Sequence, residues 1–360
     1  QLDTLKSDKV KAILNKTWGT VRETPAEKAK MIEEYKALAQ SKQNPKPDLS
    51  LGRAVYAKTC QQCHVLFSTG GKIGPELTGS NRTNLDYLLS NLLDPSGVMA
   101  KEYQPTIVVA EGRTISGLIK AEDAKSITLQ TANSVEIIPK NEIEERKLSE
   151  KSMMPDDQLR QFNRHEIRSL LAYLASDRQV PISAAKENEK ELFNGKDLAM
   201  WQGDEKLWAV VEGEIVGKTT GLKKNEFLKS DFVVEDFELQ MEIKLLNDKG
   251  NSGIQFRSEV TSDGMKGYQA DVGPGWWGKL YEEEGRALLW KESGEKHVKR
   301  GEWNQYRVKA VGSKIQTWIN GNLCVDLDDP LGARRGIIAL QLHSGGETEV
   351  RFRNLQLKTH

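Results

Sequence analysis

A chain of 360 residues is too long for one small core and points to two or three domains. Lysine plus arginine equals aspartate plus glutamate at 52 each, so no overall field draws the chain to nucleic acid or to an anionic membrane. No apolar run approaches the roughly 20 residues of a membrane span, and three cysteines are too few for a disulfide-rich scaffold.

The opening "QLDTLKSDKVKAILNKTWG" is charged throughout, has no secretory apolar core and lacks an initiator methionine, which predicts a piece of a longer precursor. Residues 1–45 read as helical. In "TPAEKAKMIEEYKALAQ", Thr24, Pro25 and Glu27 predict a capping box with proline at the first helical position. Met31, Ile32, Tyr35, Leu38 and Ala39 recur at helical spacing. "NPKPDLS" breaks that period as a linker, and residues 51–59, ending in "AVYAKT", predict a short helix running into "CQQCH".

After Pro105 the period changes. "TIVVAEGRTISGLIKAEDAKSITLQTANSVEIIPK" is a series of β-branched runs broken by turn residues, which predicts a meander of about four strands. Helical spacing returns in "NRHEIRSLLAYLAS", where Asn163 and Glu166 can cap the first turn. "QVPISAAKENEKE" reads as a polar connector. Beyond it nearly everything is strand and turn, with Asn320-Gly321 as a type I′ hairpin signal. Eight or more strands at this spacing predict a sandwich or barrel.

The spacing of Cys60, Cys63 and His64 is that of a c-type haem attachment site. Two thiols one turn apart can add to the two vinyl groups of one porphyrin, and the adjacent imidazole then faces the iron. A zinc site needs further ligands nearby, and the next histidine is His165. A redox Cys-x-x-Cys follows a strand, whereas this one follows a predicted helix. For a sixth ligand "SMMP" supplies Met153 and Met154; the proline favours an extended loop that presents the Met154 sulfur. Met99 is the alternative, and His165 reads as a solvent-facing residue of a first helical turn.

"AVYAKTCQQCH", "GKIGPELTG", "NLLDPSGVMAKEY" and "SMMP" with "HEIRSLLAYL" together resemble the planctomycete-type haem-binding cytochrome c domain. That resemblance implies one covalent haem c, with Cys60 and Cys63 as thioether anchors, His64 and Met154 as iron ligands, and the Pro75 carbonyl orienting His64. An electron-carrying role, a redox partner protein and an exported, periplasmic location are expected with it. That the partner is a sugar dehydrogenase is expected only when this resemblance is taken together with that of the last half of the chain.

In the last half, "GYQADVGPGWWGKLYEEEGR" gathers candidate site residues. Trp276 and Trp277 lie in a glycine-rich loop suited to stacking on sugar faces, or both are core. Asp271 clusters with Glu282, Glu283 and Glu284 as candidate acid–base carboxylates, with Glu282 or Glu283 as the partner of Asp271. Arg257 and His343 are candidate donors, and Gln255, Gln269, Tyr281 and Arg286 candidate substrate-binding groups. "YEEEGR" reads equally as a solvated charge run.

"ELFNGKDLAMWQG", "NSGIQFR", "GEWNQYRVKAVG", "WINGN" and "IALQLHSGGETEVRFRNLQLK" resemble the 3-keto-disaccharide hydrolase family. The resemblance implies a lectin-like, concanavalin-like jelly-roll β-sandwich acting on glycosides oxidised at C3. Relatives carry glutamate where this chain has Gln269 and glutamine where it has Asp271, so a non-catalytic carbohydrate-binding module stands as the alternative. The expected organisation is therefore multi-domain α plus β: a helical lead-in and linker at 1–48, a helical haem domain at 49–178 with a β insert at about 104–147, and the sandwich at 190–360.

Overall fold

The computed structural model describes residues 12, 13, 17 and 19–360, and the beginning of the expected helical lead-in lies outside them. The chain divides into two compact units between Gln179 and Val180.

The first unit, among the described residues, holds four α-helices: α1 (Ala26–Ala39), α2 (Leu49–Thr59), α3 (Leu85–Leu93) and α4 (Arg164–Leu174). The lead-in is not wholly helical, because β1 (Gly19–Val21) pairs antiparallel with β2 (Val98–Ala100). Helix α1 starts one residue later than the capping box predicts. Pro25, extended at ψ 143°, is itself the N-cap, so the Thr24 side chain lies outside the helix and makes no cap. The capping box of α4 does form, with Asn163 accepting from His165 and Glu166 while Glu166 accepts from the Asn163 amide. Helices α2 and α4 touch where Gly52 meets the Ser169 backbone; a Cβ at Gly52 would collide with the Ser169 carbonyl oxygen. Tyr56 and Tyr173 pack beside that contact at 5.7 Å.

The β insert comprises β3 (Thr106–Ala110), β4 (Arg113–Glu122), β5 (Ser126–Gln130), β6 (Val135–Pro139) and β7 (Ile143–Leu148). It has one strand more than the alternation predicts. The charged run "IEERKL" returns to pair with β3, giving the order β6-β5-β4-β3-β7. Its own small core is Val108, Ala110, Ile127, Leu129 and Ile138.

The second unit is a β-sandwich. The strands are β8 (Ile182–Ser183), β9 (Trp201–Gln202), β10 (Trp208–Val211), β11 (Glu214–Thr219), β12 (Glu226–Val234), β13 (Phe237–Leu245), β14 (Ser252–Val260) and β15 (Met265–Val272). They continue as β16 (Leu280–Glu283), β17 (Ala287–Trp290), β18 (Asn304–Val311), β19 (Lys314–Ile319), β20 (Asn322–Asp328), β21 (Gly336–Leu342) and β22 (Thr348–Thr359). One sheet runs β10-β11-β22-β13-β18-β19-β20 and the other β17-β16-β15-β14-β21-β12-β8, with β9 on β12. The connector therefore contributes an edge strand, since Ile182 and Ser183 pair parallel with Phe232 and Val233. Asn320 and Gly321 both take positive φ, at 49° and 81°, as the hairpin between β19 and β20 requires.

Alternate residues of each strand fill the space between the sheets: Leu239, Met241 and Ile243 from β13, Ile254 and Phe256 from β14, Leu340 and Leu342 from β21. Phe237 meets Phe256 edge-on across that space at 6.0 Å. The second sheet is unusual because its other face is buried as well. Phe227, Val233, Met265, Ile337 and Ala339 form a separate apolar cluster there.

Candidate functional site

The second buried face of the β15-β14-β21 sheet carries a polar row. Register pairs Phe227 with Gln341, Gln341 with Gly253, and Gly253 with Asp271. One step along, Ala339 pairs with Gln255, Gln255 with Gln269, and Gln269 with Tyr281. All these positions share one face because strand side chains alternate. Gln255 and Gln341 are 0% exposed, Gln269 3% and Asp271 2%. Gly253 leaves a gap in the row, and Gln269 leans into it; a Cβ at Gly253 would come within 2.6 Å of Gln269 Cδ.

A one-way chain of hydrogen bonds ends on Asp271. Ser258 Oγ donates to Gln255 Oε1 (2.7 Å), Gln255 Nε2 to Gln269 Oε1 (3.0 Å), and Gln269 Nε2 to Asp271 Oδ1 (2.8 Å). The direction follows from the chemistry of its end. A carboxylate only accepts, so Gln269 must turn its nitrogen to Asp271, and each amide then orients the next. Asp271 Oδ2 is buried with no partner, and so are both side-chain amide atoms of Gln341. Orphaned buried polar atoms cost about 1–3 kcal/mol each, and three of them stand on this one row. Burial drives the Asp271 carboxyl up to about 7; Gln269 pulls it down and the Glu283 charge pushes it further up.

The rims of this face come together above it. Three strands separate β16 from β12, which in a flat sheet is about 19 Å, yet Asn225 Nδ2 donates to Glu283 Oε1 at 2.9 Å. Asn225 Oδ1 in turn accepts from the Ser344 amide. Glu283 sits on the same face as Tyr281, and burial raises its carboxyl, opposed by Asn225 and by His343. His343 lies two residues beyond Gln341, and its Nδ1 sits 2.6 Å from the Ser344 carbonyl. In the neutral ring Nδ1 therefore carries the proton, and Nε2 is a lone pair rather than a donor.

The structure separates the remaining candidates. Glu282 pairs with Tyr268 and so faces the opposite side from Asp271. There it binds Arg286, which also holds Asp329, and Asp329 accepts from the Tyr268 hydroxyl. Glu282 and Arg286 are thus one structural ion cluster, and the carboxylate on the Asp271 face is the next one along. Arg257 is fully buried, with every guanidinium nitrogen spent on Glu235 O, Gly312 O and Asp236 Oδ1. It ties the β12–β13 and β18–β19 turns together and has no nitrogen left to serve as a donor to substrate.

The two tryptophans divide as well. Trp277 is 2% exposed and stacks on Tyr306 at 6.4 Å, so it is core. Trp276 is 38% exposed, edge-on to Tyr281 at 6.4 Å and under the Lys279 ammonium at 4.9 Å. Trp277→Ala is expected to destabilise the sandwich by about 3–5 kcal/mol. Trp276→Ala is expected to leave melting nearly unchanged and to weaken glycoside binding. Calorimetric melting and titration of the two variants check both expectations.

In the first unit, the turn after α2 presents Cys60, Cys63 and His64. The His64 and Cys63 amides both donate to the Cys60 carbonyl. Both thiols are free and half-buried, and burial raises each of them. His64 Nδ1 lies 2.9 Å from the Pro75 carbonyl, which leaves Nε2 as the lone-pair nitrogen. Glycines cradle this turn; a Cβ at Gly74 would lie 2.5 Å from His64 Cε1, and one at Gly71 would collide with the Gln62 carbonyl oxygen. Among the described residues no cluster of three or more His, Cys, Asp or Glu side chains could hold a metal ion. A donor set of two free thiols and one oriented imidazole fits a thioether-bound haem. Met153 and Met154 are both half-buried in the irregular segment after β7, where the Met154 amide donates to Ser152 Oγ. Met99 is buried in β2. His165 is half-buried with Nδ1 unpartnered, not fully solvent-facing as its position in a first helical turn suggests.

Gln341 is the site residue that sequence reasoning missed. Its signal was available: a glutamine alternating with Ala339 and His343 opposite the apolar "IALQL" positions.

Residues 188–358 match the family of the 3-keto-alpha-glucoside-1,2-lyase-like domain. No curated protein matches the chain. Among solved structures, a carbohydrate binding module, CBM66 from Bacillus subtilis, is 18% identical at a TM-score of 0.36, covering 44% of this chain and 96% of its own. A protein from Parabacteroides distasonis described as a glycosyl hydrolase is 19% identical at a TM-score of 0.37, covering 49% of this chain and 98% of its own.

Proposed function

We propose that the second unit cleaves 3-keto-glycosides with Asp271 as the general base. The observation that carries this reading is the Asp271 carboxylate. It is buried and oriented through Oδ1, its Oδ2 is free, and its proton affinity matches neutral pH. A ketone at C3 acidifies the C2 hydrogen. Asp271 Oδ2 takes that proton, and the C–H electron pair forms the C2=C3 bond while the C3 oxygen becomes an enolate. Its collapse restores the ketone and expels the C1 substituent with its bonding pair. Glu283, on the same face and with its proton affinity raised by burial, is the group that in its acid form would supply the leaving oxygen's proton. Addition of water across C1 and C2 then completes net hydrolysis. Trp276 and Tyr281 present aromatic surface for the sugar.

Incubation with a 3-keto-glucoside and with its unoxidised parent tests this: the first should be cleaved and the second left intact. Cleavage of the parent would indicate a two-carboxylate hydrolase pairing Asp271 with Glu283. Binding of either without cleavage would favour a carbohydrate-binding module, a reading to which the exposed Trp276 is equally suited.

For the first unit the reading is an exported electron carrier with one haem c, held by Cys60, Cys63 and His64. When bound, the haem supplies a one-electron acceptor. His64 keeps its Nε2 lone pair directed by the Pro75 carbonyl, and Met154 is the sixth-ligand candidate. Oxidation at C3 of a sugar releases electrons, so a sugar dehydrogenase is the partner that would join the two units' chemistry. Met154→Ala is expected to remove the far-red thioether-to-iron band and lower the potential, while Met153→Ala leaves both. The opposite pattern would move the ligand by one residue.

A further inference from the structure

We infer that the Gln341 side-chain amide is the oxyanion donor of this site, reading the C3 oxygen and the neighbouring hydroxyl of the bound sugar ring. Gln341 is wholly buried, yet neither its Nε2 nor its Oε1 has a partner. The other glutamines of the face, Gln255 and Gln269, are consumed in the chain that orients Asp271. Gln341 stands on the same row as Asp271, with Gly253 between them, over which the Gln269 side chain lies, and with Phe227 on its other flank. An amide with both edges free matches an acceptor beside a donor, which is what a ketone next to a secondary hydroxyl offers. As Asp271 Oδ2 removes the C2 proton, the pair shifts toward C3 and the C3 oxygen gains charge. The Gln341 N–H then meets more charge in the transition state than in the ground state. The donors expected from sequence are occupied, Arg257 by loop carbonyls and His343 Nδ1 by Ser344 O. That leaves Gln341 with this role.

The choice of ring oxygens rests on the hydrolase reading; the recognition role itself does not. The test compares the full chain with Gln341→Met, which keeps the volume and removes both polar atoms. Turnover of a 3-keto-glucoside should fall about 10²–10³-fold, and affinity for the unoxidised glucoside about tenfold. Melting should not fall, because two orphaned polar atoms have gone. Turnover and affinity within threefold of the parent protein would overturn the inference, as would lower melting with binding and turnover intact. If the parent protein leaves 3-keto-glucosides uncleaved, the hydrolase reading falls and the affinity measurement alone decides the role of Gln341. Weaker binding then supports it, and unchanged or absent binding overturns it. Gln341→Leu, which also removes both polar atoms, gives the same contrast if the methionine variant does not fold.

Discussion

Asp271→Asn is expected to lower turnover of a 3-keto-glycoside by about a thousandfold or more while leaving ligand affinity within a few-fold. General-base catalysis contributes about 10²–10⁴, and the amide keeps the shape of the side chain and its acceptor for Gln269 but cannot take a proton. In the parent protein the acid limb of the turnover profile should have its midpoint near 7, because only the ionised carboxylate is a base and burial places its titration at about 7. The same shift has a stability consequence of defined sign. The unfolded carboxyl releases its proton near its ordinary value of 3.8, whereas the folded one holds it to about 7. Between those values the folded state binds more protons, so the Asp271 contribution becomes less favourable as pH rises. It is neutral below about 4 and reaches a penalty on the order of 4 kcal/mol above 7. Asp271→Asn should therefore melt higher than the parent at pH 8, with the difference vanishing toward pH 4. A variant that melts lower at pH 8 and retains turnover would place Asp271 among the structural carboxylates.

Produced with haem-maturation machinery, the chain is expected to be red and to keep its haem after denaturation and acid-acetone extraction, because thioether bonds are covalent. Replacing both Cys60 and Cys63 by alanine should make the haem fully extractable. His64→Ala should leave it attached but change its spectrum, since the anchors survive and the axial nitrogen does not. The glycine cradle gives a second handle on the same geometry. Gly74→Ala would drive a methyl group to 2.5 Å from the His64 ring, so it should disturb the spectrum without touching an anchor. Extraction of all the haem from the unmodified protein would remove the cytochrome reading of the first unit.

Some of this was legible without coordinates because it is encoded locally. The Asn163–Glu166 capping box, the Asn320-Gly321 hairpin and the spacing of Cys60, Cys63 and His64 each depend on residues within a few positions of one another. Alternation along β13 and β22 likewise announced a sandwich. Where the reading went astray, the deciding partner was distant in sequence. The strand at Gly19–Val21 exists because Val98–Ala100 pairs with it. Arg257 is structural because Glu235, Asp236 and Gly312 lie around it.

Neighbouring residues alone were enough to set the order of elements, the cysteine–histidine turn and a carboxylate beside an aromatic loop. Which face each side chain occupies, and what covers it, depended on pairing between distant strands. Glu282 and Glu283 are adjacent in sequence, yet register places the first on the side of Arg286 and Asp329 and the second on the face of Asp271. Trp276 and Trp277 are equally adjacent, and one is solvent-exposed while the other is core. Gln341 looked like an ordinary polar strand position until its face proved to be buried. Alternation along a strand assigns sides, but burial of the second side depends on the sheet's curl, which brings Asn225 and Glu283 together across three intervening strands.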